Sequence, residues 1–226
     1  MLADFLNCTG AVVEGAGEDK IIIRKEKNFH DCEYTIRPDR IETATYMAAA
    51  AVTGSTITIE NAPVNDMKST LNAFESSGCQ ILAKNNEVTF ISPKKLKAVD
   101  IISTAPYPGF PTDAQPIMTS CLLNAKGTSL IVENIFEKRF NHVQELRNLG
   151  ANINVFGNTL KITGNIDKMH GGSVKAGDLR AGASLIVAAL GINDTTEIED
   201  THHIIRGYEN IVEKLRNLGA DIKIEE

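Results

Sequence analysis

Three stretches of the chain, Thr43 to Val52, Ile117 to Ala125 and Ala181 to Gly191, contain no charged residue on any face. A helix that is apolar all round belongs in a core. Alanines at positions 48 to 51, 181, 183, 188 and 189 would let helix backbones approach closely, so the pattern predicts three central helices packed against one another. A short alternating run follows each: Thr56 to Ile59, Ser129 to Val132 and Thr196 to Glu199. These read as strands with one buried face. A polar loop then leads to a second helix with a single apolar stripe, carried by Leu71 and Phe74, by Val143 and Leu146, and by Ile211 and Leu215. Gly78, Gly150 and Gly219 stand where a left-handed helix C-cap is expected. Further alternation, such as Thr159 to Thr163 after a turn at Gly157-Asn158, completes the order helix, strand, helix, strand, strand.

This order is a repeat. Leu146-Arg147-Asn148-Leu149-Gly150-Ala151 returns unchanged as Leu215-Arg216-Asn217-Leu218-Gly219-Ala220, and Gly10, Gly78, Gly150 and Gly219 are spaced 68, 72 and 69 residues apart. A period of roughly 70 exceeds the usual solenoid range of about 20–50, which points to a few substantial units sharing one core. Residues 1–36 read as the end of a preceding unit, with an amphipathic helix from Leu2, Gly10, and strands near Val12 and at Ile21 to Ile23. The last unit stops at Ile224-Glu225-Glu226, one strand short of the hairpin in its siblings. The expected division is a tail at 1–37 that belongs to an earlier domain and a three-unit α/β domain at 38–226. The chain reads as part of something longer.

Composition narrows the function classes. With 226 residues, 42% hydrophobic and 23% charged, the chain is ordinary globular material, neither disordered nor collagen-like. A net charge of −6 argues against broad nucleic-acid binding, which needs a basic surface to displace phosphate counterions. The longest uncharged stretches are interrupted by polar residues and glycine, so no membrane span is expected. Met1-Leu2-Ala3-Asp4 lacks the basic start and apolar core of a secretory signal, and a cytoplasmic location is the expectation. Cys8, Cys32, Cys79 and Cys121 lie 24, 47 and 42 residues apart, with no CxxC pair, and are expected to be structural thiols. His202 and His203 are adjacent and so point in different directions. No metal or organic cofactor is expected.

If the central helices pack about a pseudo-threefold axis, their N-termini converge on one surface, where free N–H groups and partial positive charge favour phosphates and carboxylates. Asp39 with Glu42, and Thr112 with Gln115, have capping-box spacing, and Asp178 is a cap without the reciprocal partner. Arg40, Asp113 and Arg180 lie near those starts, and Arg139 and Arg206 sit in loops ahead of the second helices. Asp113 follows a three-proline approach, Ala105 to Pro111, that would fix it in place; such a carboxylate can hydrogen-bond a hydroxyl and take its proton, or simply complement the helix dipole. Each arginine is a candidate anion ligand, with a solvated ion pair as the alternative. Arg180 precedes a wholly apolar helix that restricts its reach to solvent. Gly207 after Arg206 leaves room for a ligand, or makes a simple turn.

The segments Arg37 to Thr43, Ala105 to Asp113, Phe136 to Val143, Asp178 to Ala181 and His203 to Glu209 together resemble the UDP-N-acetylglucosamine 1-carboxyvinyltransferase family, in consecutive order over essentially the whole chain. The resemblance implies an enolpyruvyl-transferase-like α/β domain of three repeated units around buried Ala-rich helices, of the inside-out α/β barrel type. It implies transfer of the carboxyvinyl group of phosphoenolpyruvate to the 3-hydroxyl of UDP-N-acetylglucosamine, in peptidoglycan synthesis. By the same resemblance Asp113 contacts the sugar hydroxyl as general base, and Arg180 and Arg206 engage the phosphoenolpyruvate carboxylate and phosphate. Ile135 and Phe136 help hold the nucleotide sugar, and Arg139 supports the cleft. The family has two such domains, and this chain resembles the second, preceded by the end of the first. The missing half carries a lysine, an asparagine and a reactive cysteine that nothing here matches, so the chain alone is expected to be inactive. The alternatives are the sister enzyme acting on shikimate phosphate and a non-catalytic ligand-binding module.

Overall fold

A computed structural model describes every residue except Glu26, Lys27, Asn85, Lys138 and Glu226. The chain divides into two compact units, Met1–Asp39 and Arg40–Glu226. In the first, helix α1 (Leu2–Cys8) precedes an antiparallel pair, β1 (Val12–Glu14) and β2 (Ile22–Arg24). The Asn7 side chain brackets Val13, donating to its carbonyl at 2.9 Å and accepting from its N–H at 2.7 Å. Phe5 packs edge-on against Tyr34. None of α1 is buried, and Leu2, Ile23, Phe29 and Ile36 are all exposed.

The second unit is built on the three charge-free segments. They form α2 (Arg40–Thr53), α4 (Gln115–Leu123) and α6 (Leu179–Leu190), each in contact with the other two. All nine residues of α4 are buried. Alanine and glycine faces bring the helices close enough for polar stitches between them. The Ser120 hydroxyl donates to the Ser184 carbonyl at 2.7 Å, and the Asn124 amide to the Val52 carbonyl at 3.0 Å. Gly191, at the end of α6, shows how close the packing is, since a Cβ there would meet Val52 Cβ of α2 at 3.3 Å.

Around this core come β3 (Thr56–Ile59), α3 (Lys68–Ser76), β4 (Gln80–Lys84), β5 (Glu87–Ile91), β6 (Leu96–Lys97) and β7 (Ile101–Ser103). After α4 follow β8 (Ala125–Lys126), β9 (Thr128–Val132), α5 (Asn141–Asn148), β10 (Asn152–Phe156), β11 (Thr159–Thr163) and β12 (Gly172–Lys175). After α6 follow β13 (Thr196–Glu199), α7 (His202–Gly207) and α8 (Ile211–Asn217). Strands β3, β5 and β4 make one sheet, β10, β11, β9 and β7 another, and β12 with β13 and β6 with β8 make pairs. The parallel pairs β7–β9 and β12–β13 are each joined across a central helix, as parallel neighbours require.

The expected inside-out α/β barrel is therefore corrected. Among the described residues no sheet closes: a barrel needs one ladder that returns to its first strand, whereas here the ladders are short, separate and open at their edges. Alternation specifies which face of a strand is buried, and β3 and β5 meet that demand against α2, β9 and β11 against α4, and β13 against α6. A second correction concerns the third unit, in which Asp221 to Glu225 carry no strand and β13 pairs only with β12 among the described residues.

The repeated glycines have one conformation. Gly10, Gly78, Gly150 and Gly219 have φ of 94°, 96°, 89° and 97°. In each case the next residue's N–H reaches the carbonyl five positions back: Ala11 to Leu6, Cys79 to Phe74, Ala151 to Leu146 and Ala220 to Leu215. This is the Schellman closure of a helix, and a left-handed residue is what allows it. Within the hexapeptide Arg147 and Arg216 are exposed, but each also ties a main-chain carbonyl six residues on, Ile153 and Ile222.

Candidate functional site

The starts of α2 and α4 border an open cleft of ≈ 740 Å³ whose lining includes Arg40, Thr112, Asp113, Ile135, Phe136, Arg139 and Asn141. The approach to it, Ala105 to Pro111, is closed on itself by Ala105 N–H to the Phe110 carbonyl at 3.0 Å and Gly109 N–H to the Pro106 carbonyl at 2.8 Å. Ser69 fastens it from outside by donating to the Gly109 carbonyl. Main-chain closure therefore fixes this segment as much as its prolines do. A short 3-10 turn at Thr112–Ala114 then delivers Asp113 to the cleft. The capping box expected at Thr112 and Gln115 does not form: a 3-10 turn takes up Thr112–Ala114, so α4 begins at Gln115 with Ala114 at its cap, and the Thr112 hydroxyl donates to Glu133. Asp178 does cap α6, accepting from the N–H groups of Arg180 at 2.9 Å and Ala181 at 2.8 Å.

Asp113 is gripped from two sides. Arg139 Nη2 lies 2.6 Å from Oδ1 and Arg180 Nη2 lies 3.1 Å from Oδ2. Partial burial pushes the Asp113 carboxyl up, but the charges and hydrogen bonds of Arg180 and Arg139 outweigh it and hold the pKa below the ordinary value. Burial pulls the Arg180 guanidinium down, and Tyr208 and Asp113 together raise it above its usual value. Asp178 is likewise lowered: burial raises it, but the Ala181 N–H, the Asn141 amide and the Arg180 N–H prevail. The Arg139 guanidinium also stands 5.1 Å over the Phe136 ring, and that of Arg40 5.6 Å over Tyr107. The site thus offers an ionised carboxylate able to accept a hydroxyl hydrogen bond, flanked by guanidiniums that can take an anion.

The structure brings Asp113, Arg139, Arg180, Ile135 and Phe136 to one place, the last two exposed on the rim. Arg180 stands behind Asp113, and the cleft lining does not include it. Arg206 is exposed on α7 and is not among the residues lining the cleft. The room expected beside Gly207 is occupied, since a Cβ there would meet Leu179 Cδ1 at 2.5 Å. Tyr208, two residues on, does reach the site: its buried hydroxyl bonds Thr45 at 2.9 Å and accepts from Arg180 at 3.5 Å. Lys138 lies outside the described residues.

Reasoning from sequence missed Glu133. Its carboxylate is 2% exposed and accepts four hydrogen bonds beside the cleft. The signal was available, because alternation through Ser129 and Ile131 puts residue 133 on the buried face, where an acid is out of place. Among the described residues no group of three or more His, Cys, Asp or Glu could hold a metal ion, and no helix is long and apolar enough to cross a membrane.

Known proteins resemble this chain in sequence and in fold. The chain is 48% identical over 221 residues to UDP-N-acetylglucosamine 1-carboxyvinyltransferase 1 of Caldanaerobacter subterraneus subsp. tengcongensis, a match covering 98% of this chain and 53% of that protein. It is 45% identical over 222 residues to the UDP-N-acetylglucosamine 1-carboxyvinyltransferase of Geobacter metallireducens, with the same coverage. The chain thus spans about half the length of the curated relatives it matches. Among solved structures, the enolpyruvyl transferase NikO from Streptomyces tendae superposes with a TM-score of 0.86 at 29% identity, covering 98% of this chain and 53% of that one. An EPSP synthase from Acinetobacter baumannii, 17% identical, shares the fold with a TM-score of 0.78 over 98% of this chain and 54% of its own. The family profile described as EPSP synthase (3-phosphoshikimate 1-carboxyvinyltransferase) matches residues 1–215, nearly the whole chain. By that match, the chain belongs to the EPSP synthase family of carboxyvinyltransferases.

Proposed function

We propose that this chain carries the second-domain part of a site that moves the carboxyvinyl group of phosphoenolpyruvate to the 3-hydroxyl of UDP-N-acetylglucosamine, with release of phosphate, in cytoplasmic peptidoglycan synthesis. The observation that carries this reading is the Asp113 carboxylate held between Arg139 and Arg180 at an open cleft. A proton adds to the vinyl methylene and the sugar hydroxyl attacks the adjacent carbon, giving a tetrahedral intermediate; that proton is then lost from the methyl group as phosphate leaves. Asp113 accepts the hydroxyl's hydrogen bond and then its proton. Its lowered pKa keeps it ionised but makes it a weak base, so an anion that draws Arg180 away would strengthen it when substrate binds. Arg180 and Arg206 engage the phosphoenolpyruvate anion, Arg139 braces the cleft, and Ile135 and Phe136 hold the nucleotide sugar.

In this reading residues 38–226 are the second domain, and 1–37 close a first domain whose remainder supplies the other half of the site. Two features support it: the exposed apolar residues of the first unit, and its helix, glycine and hairpin, which mirror the end of a full repeat. The chain alone should then give no turnover. Mixed with the N-terminal half of a relative, it should release phosphate from phosphoenolpyruvate only when UDP-N-acetylglucosamine is present; no release from the mixture would sink the proposal. Shikimate 3-phosphate is the acceptor in the second reading, which the description of the matching family profile favours. Calorimetric titration of both acceptors separates the two.

A further inference from the structure

Glu133 lies just beyond β9 on the same buried face as Ser129 and Ile131, and among the described residues no cation sits at ion-pair distance from it. Its Oε1 accepts from the Thr104 hydroxyl at 2.8 Å and from the N–H groups of Ile135 at 2.9 Å and Phe136 at 3.2 Å. Its Oε2 accepts from the Thr112 hydroxyl at 2.8 Å. The second contact has a direction. Thr112 has spent its single proton on Glu133, so it offers only lone pairs to its other neighbour, and Arg139 Nη1 donates to them at 3.1 Å. The other terminal nitrogen of Arg139 holds Asp113 at 2.6 Å. One buried carboxylate therefore sets two parts of the cleft: the backbone of the Ile135–Phe136 rim and, through one hydroxyl, the guanidinium beside Asp113.

An amide of the same shape does neither as well. A carboxamide has one oxygen and one NH₂ and no charge; turning the NH₂ to Thr112 makes that hydroxyl accept from two donors and deprives its own proton of the Glu133 acceptor, while turning it the other way faces three donors with a donor. We propose that Glu133 is the positioning residue of this cleft, acting on ligand through Ile135, Phe136 and Arg139 without touching it. The ligand used as probe below rests on the function proposed above; the placement of Glu133 does not.

The test is Glu133→Gln in the full chain, followed by ¹H–¹⁵N spectra of the Ile135 and Phe136 amides and the Arg139 Nε–H, and by titration with UDP-N-acetylglucosamine. All three resonances should shift, and Kd should rise about tenfold, as expected for disturbing a charge-assisted hydrogen bond. Thr112→Val should shift Arg139 while leaving the two amides in place, and the double variant should lose less affinity than the two single losses combined. Unchanged resonances with wild-type affinity, even with a lower Tm, would overturn the proposal and leave Glu133 a structural residue. If Glu133→Gln does not fold, an unmoved Arg139 resonance in Thr112→Val overturns it equally. If the wild-type chain fails to bind the nucleotide sugar, the proposed function is what fails, and the spectra still decide the role of Glu133.

Discussion

Four arginines of this chain fall into two pairs whose duties differ. Arg147 and Arg216, at the C-terminal ends of α5 and α8, reach the neutral carbonyls of Ile153 and Ile222, six residues downstream in the same unit. Arg139 and Arg180, near the N-terminal ends of α5 and α6, close on a carboxylate from another part of the chain; Arg180 and Asp113 are 67 residues apart. The first pair finishes a helix, a turn and a strand, which every unit must do for itself. The second pair converges on one carboxylate at the start of the second unit, Arg139 from within that unit and Arg180 from the next. Duplication has copied the former, and the chemistry resides in what was not copied.

The largest effect should come from removing the carboxylate that defines the second pair. Asp113→Asn leaves two guanidiniums facing each other uncompensated and removes the proposed proton acceptor, so phosphate release by the reconstituted protein should fall on the order of 10³-fold. Because Asp113 is partly exposed, its thermal transition should stay close to wild type. A variant that melts early yet retains turnover would erase the distinction between the pairs. The acid limit follows from the same geometry. The folded pKa of Asp113 lies below its ordinary value, so whatever the grip contributes to stability is present above the unfolded carboxylate pKa and is lost only as pH falls through the lower folded value.

How far sequence alone reached follows the same division. The central helices were legible because absence of charge marks burial on every face, and strands β3 and β13 were legible because their alternation is strict. The Asp178 cap could be read because its partners are the next two or three N–H groups. Thr112 had the fuller local signature and failed, since a 3-10 turn moves the start of α4 on to Gln115 and a carboxylate 21 positions away takes the hydroxyl's proton. Sheet closure was misjudged for a similar reason: alternation tells a strand which way to face and nothing about its neighbours. The cleft was visible only as an inference that helix starts converge, and Arg206, whose sequence context suits an anion as well as Arg180 does, stands exposed outside it.

His142 sharpens the comparison because it belongs to a repeated helix but lies next to the cleft. The corresponding positions in the other units, 72 residues before and 69 after, are the buried Thr70 and Ile211. Burial lowers the His142 pKa to about 3, the Asp178 charge opposes that shift, and Arg139 adds to it. In the unfolded chain the ring titrates near 6.5, so stability is full above that value and declines as pH falls toward 3. Urea unfolding at pH 5 should give about 2 kcal/mol less stability than at pH 7 from this residue. His142→Ile, borrowing the third unit's residue, should flatten that slope. An equal slope in the variant would move the effect elsewhere.

The helix closures can be broken one at a time. Gly150→Ala puts a Cβ into ordinary contact, 3.5 Å from Met169 Cα and His170 Cδ2, so its cost is backbone strain at φ 89° and should be about 1–2 kcal/mol. Gly219→Ala meets nothing within 4 Å and tests the same strain without neighbours. Similar losses at the two sites would make the closure a property of the repeat; a much larger one at Gly150 would point to the 169–170 segment.

The smallest effect is the most discriminating. Arg147→Ala removes the clasp on the Ile153 carbonyl, a charge-assisted bond at an exposed position, and should cost about 1 kcal/mol because water can replace the donor. Its affinity for UDP-N-acetylglucosamine should be unchanged, since the clasp closes within its own unit. Arg139→Ala should do the reverse: stability within about 0.5 kcal/mol of wild type, as for a partly screened surface pair, and a clear loss of affinity. Both variants remove an arginine from the same stretch of chain, eight residues apart. If both lowered affinity, the cleft would depend on the internal order of the unit behind it, and the separation between copied and uncopied arginines would not hold.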